Sequence, residues 1–92
     1  MTYKVMVQWY SVAQGGRQQP PSCGRYFATT YLNELHDRSM WSIYLELSPS
    51  IEEGKLGFLF DTYPQVIKVG DCLPILEGGR EVGMMLVVER IR

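Results

Sequence analysis

Arg17, Gln18, Gln19, Arg25 and Tyr26 are the residues whose types and spacing best suit recognition chemistry. Guanidinium forks and amide donors beside an aromatic ring can grip phosphates, carboxylates or backbone carbonyls. The competing reading is an ordinary exposed polar loop. A proton shuttle would fall to His36, the single histidine, with Glu34, Asp37 or Ser39 as partners in a hydrolase or transferase. Residues so close in sequence rarely supply the mutual orientation of nucleophile, base and orienter, so a solvated loop histidine is the expectation. Glu52-Glu53 reads as turn polarity and not as a cation site. Cys23 and Cys72 have neither CxxC spacing nor nearby His, which predicts two free thiols and no zinc. The phosphate-loop pattern GxxxxGK[ST] is missing, and the glycines of Gly78-Gly79-Arg80-Glu81-Val82-Gly83 have the wrong spacing for a dinucleotide fingerprint. The chemistry read from these residues is binding without catalysis, cofactor, metal or nucleotide.

Residues 1–92 fit a single domain, near the lower limit at which one apolar core suffices. Hydrophobic residues at 46% and charged ones at 21% match globular usage and argue against disorder. No apolar run approaches the roughly 18–20 residues of a membrane-spanning helix. The opening Met1-Thr2-Tyr3-Lys4 lacks an apolar signal core, so a cytoplasmic chain without membrane attachment is the expectation. A formal net charge of −1 supplies no bulk attraction for nucleic acid, and any RNA contact would be local.

Alternating side chains supply the elements. Residues 3–12 read as a strand with Val5, Val7 and Trp9 on one face and Lys4, Met6, Gln8 and Tyr10 on the other. Pro20-Pro21 stiffens the following loop. Residues 25–32 form a second expected strand, and the polar stretch 33–39 a loop with room for one helical turn. Trp41, Ile43, Leu45 and Leu47 against Ser42, Tyr44 and Glu46 give the clearest one-sided strand. Another is expected over residues 55–63, with Leu56, Phe58 and Phe60 sharing a face after a turn through Glu52-Glu53-Gly54. Residues 65–69 and 72–76 read as short strands, the second confined by Pro74 to an edge or bulge. Residues 82–91 are apolar on both sides, with Val82, Met84, Leu86 and Val88 on one face and Met85, Val87 and Ile91 on the other, which places this strand centrally. Many short strands and no amphipathic helix predict an all-β domain. With six or seven strands at this size, a closed or nearly closed barrel is favoured over a sandwich because closure removes unpaired edges. Trp9, Tyr10, Tyr44 and Tyr63 are candidate exposed aromatics for an interface or self-assembly.

Gly-Gly-Arg occurs twice, as Gly15-Gly16-Arg17 and Gly78-Gly79-Arg80, each expected to close a turn between strands. The first copy, continuing into Gln18-Gln19-Pro20 and then Gly24-Arg25-Tyr26, resembles the opening of the C-terminal barrel of elongation factor Tu. Glu77-Gly78-Gly79-Arg80-Glu81-Val82-Gly83 resembles the segment before that barrel's last strand more closely, with Asp71 at the preceding turn in register. The resemblance covers most of the chain. It implies a six-stranded antiparallel barrel, a binding role and no enzymatic activity of its own. In the factor this barrel packs on the GTPase domain and helps bind the T-stem of aminoacyl-tRNA and an exchange partner. The sequence departs from the family after Gly24, where Ala28 stands at the position of a glutamine contact. The resulting expectation is a protein-interaction module with Arg17, Gln18, Gln19, Arg25 and Tyr26 as binding residues. An accessory protein that sets Arg17, Gln18 and Arg25 on tRNA phosphates is the alternative. The second Gly-Gly-Arg is expected to be architectural, and the first to carry contacts.

Overall fold

The computed structural model describes residues 2–19, 21–31, 40–59 and 67–91. The sequence readings on His36 with the rest of 33–39, on Phe60, on Tyr63 and on residues 65–66 lie outside the described residues. Six strands follow in order: β1 (Thr2–Trp9), β2 (Gly24–Tyr31), β3 (Met40–Leu47), β4 (Glu53–Phe58), β5 (Cys72–Glu77) and β6 (Arg80–Ile91). They close into an antiparallel barrel in the order β1-β4-β3-β2-β5-β6, with β6 returning to β1. The expected all-β, six-stranded closed architecture is therefore the observed one.

Alternation explains the strands and the core together. On β3, Ile43, Leu45 and Leu47 are buried while Glu46 is exposed, and on β1 Tyr3, Val5 and Val7 are buried while Lys4, Met6 and Gln8 face outward. Leu56, Leu73, Ile75, Val82, Met85 and Val87 complete the interior with them. Each such side chain contributes about 1.5–3 kcal/mol by leaving water, and all strands contribute because a barrel has one shared inside.

Several boundaries differ from the sequence expectation. β1 stops at Trp9, and the chain then makes a short 3-10 turn at Val12–Gln14. Ser11 and Gln14 hold that turn: the Gln14 Oε1 accepts from the Ser11 amide at 2.9 Å, and the Gln14 amide donates to the Ser11 carbonyl. β4 begins at Glu53 and Gly54, because the reversal is completed within residues 48–52. Leu59 already lies beyond the strand and is exposed. Residues 67–71 form a turn, in which the Asp71 carboxylate accepts from the Lys68 amide at 2.9 Å and the Asp71 amide donates to the Lys68 carbonyl.

The two-sided reading of β6 is corrected by a bulge. Ile75 pairs with Gly83 but Leu76 pairs with Glu81, so Val82 is an extra residue between them. That extra residue reverses which parity faces inward, so that Val82 joins Met85 and Val87 inside while Met84 and Leu86 are exposed. A second shift, between Lys4↔Glu89 and Val5↔Val87, leaves Val88 as the extra residue. Pro74 sits beside the first bulge. Its carbonyl accepts from Thr30 Oγ1 at 2.7 Å, so its backbone faces β2, where the ladder among the described residues is the pair Thr29↔Leu76. The missing N–H thus removes no bond from the β5–β6 ladder.

Candidate functional site

The two Gly-Gly-Arg segments meet at one end of the barrel. Gly15 takes φ 88 and closes the 3-10 turn. Gly16 follows with a different constraint: a Cβ there would lie 2.0 Å from the Tyr10 carbonyl oxygen. The chain can therefore pass Tyr10 closely and deliver Arg17 to the barrel rim. Gly78 and Gly79, at φ 59 and 85, form the two-residue turn between Glu77 and Arg80, which pair across the β5–β6 hairpin.

Arg17 and Glu77 are joined by an ion pair. The same Glu77 oxygen, Oε2, accepts a hydrogen bond from the Tyr26 hydroxyl. Arg17 Nε donates to the Gln19 carbonyl at 3.0 Å, and the guanidinium lies 5.6 Å from the Tyr26 ring centroid. Beneath it Trp9 meets Tyr26 edge-on, with centroids 5.3 Å apart and planes at 88°. The indole N–H of Trp9 donates to the Ile51 carbonyl at 2.8 Å. Burial pushes the Tyr26 hydroxyl well above the ordinary tyrosine range, and the bond to Glu77 pushes it further. Burial also works to raise Glu77, but the Tyr26 hydroxyl and the Arg17 guanidinium outweigh it and hold the carboxyl below its ordinary value. Glu77 is thus a carboxylate at neutral pH and Tyr26 a neutral donor. The arrangement ties Arg17 and the chain leading into it to the end of β5.

Five recognition residues were expected from sequence, and the structure divides them. Arg17, Gln18 and Gln19 share a cleft of about 280 Å³ with Glu77 and Arg80. Arg17 and Gln18 also border a second cleft, of about 370 Å³, whose wall includes Trp9, Pro21 and Val82. Tyr26 supports Arg17 from within the barrel and is only 9% exposed. Arg25, its neighbour on β2, points to the opposite face of the strand. There it pairs with Glu46 of β3 and lies 4.6 Å from the Tyr44 ring centroid. Glu46 is held below the ordinary carboxylate range by Arg25. Arg17 and Arg25 therefore do not form one patch.

Sequence reasoning missed Glu77 and Arg80 as site residues. Both belong to the second Gly-Gly-Arg segment, and the repeat itself was the available signal. The partnership of the two copies is not local, since Arg17 and Glu77 are separated by sixty residues and meet through barrel closure. Cys23 and Cys72 are both exposed and are not bonded to each other. Among the described residues, no group of three His, Cys, Asp or Glu is placed to hold a metal. No helix of the described residues is long and apolar enough to cross a membrane.

Fold and site together define a small, closed antiparallel β-barrel with a polar rim stapled by an Arg–Glu–Tyr network. No protein-family model matches the chain, and no curated protein matches it.

Proposed function

We propose that this chain is a non-enzymatic binding module, similar in architecture to the C-terminal barrel of elongation factor Tu, whose Arg17-loop rim engages a protein partner. The resemblance is supported by the closed six-stranded antiparallel barrel and by the Glu77–Arg80 turn leading directly into the last strand. The observation that carries the functional reading is the anchored rim. Arg17 is fixed by Glu77 and Tyr26, while Gln18, Gln19 and Arg80 are left exposed around the 280 Å³ cleft. A backbone tied down at Arg17 has less freedom to lose on association, so the exposed amide and guanidinium donors beside it can recognise carbonyl or carboxylate groups at reduced entropic cost.

The alternative, tRNA phosphate binding by Arg17, Gln18 and Arg25, is less well supported. Phosphates would have to displace Glu77 from Arg17 and Glu46 from Arg25. Ala28, at the family's glutamine position, packs against the core, and the net charge is −1. The deciding experiment is a tagged capture under conditions that retain weak complexes, run with wild type and a Gln18→Ala/Gln19→Ala/Arg80→Ala variant. A partner captured by the wild type and lost by the folded variant supports the rim. Equal capture by both, or capture by neither, refutes it. Labelled tRNA titrated in parallel is expected to show no salt-sensitive binding.

A further inference from the structure

One strand of the barrel keeps an open edge. β1 pairs with β6 along its length, from Thr2↔Ile91 to Trp9↔Gly83, but on its other side the ladder to β4 ends at Met6↔Glu53. Beyond that point residues 48–52 fold into the turn from β3. That turn touches β1 through two bonds, from the Val7 amide to the Glu52 carbonyl at 2.7 Å and from the Trp9 indole to the Ile51 carbonyl at 2.8 Å. Ile51, a β-branched residue at φ 58, holds a conformation costly for its type, and its carbonyl meets the indole instead of a strand.

The Tyr10 amide donates to Val82 on β6 at 3.0 Å. Backbone groups alternate between the two edges of a strand, so the Trp9 N–H and C=O face away from β6, toward the gap left by β4. The Val7 carbonyl faces the same way. Among the described residues the Trp9 N–H has no acceptor and the two carbonyls have no donor, since the β1–β4 ladder ends at Met6↔Glu53. A groove of about 440 Å³ follows this edge, bordered by Met6, Gln8, Ser50 and Glu52.

We propose that the edge at residues 7–9 accepts an extended peptide of a protein partner by strand addition, with a basic side chain of that peptide set against Glu52. Unpaired N–H and C=O groups in strand geometry are matched by another strand's backbone. Glu52 supplies the charge preference: it is exposed, it makes no ion pair among the described residues, and Glu53 lies next to it. Met6, 43% exposed, offers an apolar surface for the aliphatic stem of a lysine or arginine. The proposal rests on backbone geometry and does not depend on the Arg17 rim.

Amide exchange tests it first without ligand. The Trp9 amide is expected to exchange at least about 100-fold faster than those of Gln8 and Tyr10, which face β6. A protected Trp9 amide in the free protein would overturn the proposal. The probe is the peptide acetyl-Thr-Val-Arg-Val-Thr-amide, titrated while Trp9 exchange and the backbone resonances of Val7 and Glu52 are followed. Slowed Trp9 exchange is expected with this peptide. Its Arg-to-Glu counterpart and its alternately N-methylated form should have no effect, and Glu52→Lys should weaken the Arg peptide by about tenfold or more. Unchanged Trp9 exchange with the Arg peptide, or equal binding of the N-methylated form, would refute strand addition. Equal binding to Glu52→Lys would refute the charge preference.

Discussion

Replacing Glu77 with alanine should destabilise the barrel more than Arg17→Ala or Glu77→Gln does. The carboxylate has two tasks, accepting from the Tyr26 hydroxyl and pairing with Arg17. Tyr26 is 9% exposed, so its hydroxyl finds little water when the acceptor is removed, at a cost of about 1–3 kcal/mol. The ion pair contributes less, because the Arg17 and Glu77 side chains retain 34% and 29% exposure; solvent screening limits it to about 0.5–1 kcal/mol. The expected loss for Glu77→Ala is therefore about 2–3 kcal/mol. Glu77→Gln keeps an acceptor for Tyr26 and should lose about 1 kcal/mol. Arg17→Ala forfeits the pair and the contact with the Tyr26 ring, again about 1 kcal/mol. Urea unfolding followed by tryptophan fluorescence is a suitable assay, since Trp9 lies against Tyr26. With a slope of about 1.5 kcal/mol per molar urea, Glu77→Ala should move the midpoint by about 1.3–2 M at unchanged slope. A shift worth less than about 0.5 kcal/mol, or zero coupling in the Arg17/Glu77 double-mutant cycle, would refute the structural role of the network.

The same carboxylate should make stability pH-dependent. Its folded value lies below the ordinary one, so its contribution is present above the unfolded glutamate value of about 4.3 and is lost as pH falls through the lower folded value. The stability gap between wild type and Glu77→Gln is thus expected at pH 7 and should narrow below about pH 4; a gap that widens on acidification contradicts the assignment. The glycines should respond differently by position. Gly78→Asn fits the left-handed turn and should change stability by less than about 1 kcal/mol. Gly16→Ala drives a Cβ into the Tyr10 carbonyl and should cost about 3 kcal/mol or more, as read by thermal unfolding. Trp41→Phe forfeits no hydrogen bond among the described residues, so it should cost only the packing of the lost ring against the core, about 1–2 kcal/mol. A loss above about 3 kcal/mol in the same unfolding assay would contradict this.

Legibility in the sequence followed the range of the interaction. Strands β1 and β3 could be read because each carries its inward set at period two within its own residues, from Val5 and Val7 to Ile43, Leu45 and Leu47. β6 could be recognised as a strand, but its faces could not. Where Val82 bulges depends on how β5 pairs with it, and pairing is a property of two strands. The end of β1 was obscured for a local reason: Tyr10, Ser11 and Val12 suit a strand, and the Ser11–Gln14 cap that turns them away is only a weak signal. At the rim, residue types near Arg17 disclosed a capacity to bind, whereas the partner that occupies Arg17 lies on another hairpin.

That distinction bears on what duplicated turn motifs can mean. One tripeptide satisfies two unrelated constraints in this barrel. At Gly78-Gly79 the turn itself demands positive φ, and a Cβ would meet nothing within 4 Å. At Gly16 the demand is closeness to another stretch of backbone. The two arginines also differ in their surroundings. Arg17, in the loop expected to carry contacts, is held by Glu77 and Tyr26, while Arg80, in the turn expected to be architectural, is exposed beside the cleft. A loss of binding on Arg17→Ala therefore reports partly on loop anchoring, and Arg80→Ala is the cleaner probe of recognition. If Arg80→Ala preserves stability yet removes the captured partner, the second Gly-Gly-Arg both shapes the hairpin and presents the contact.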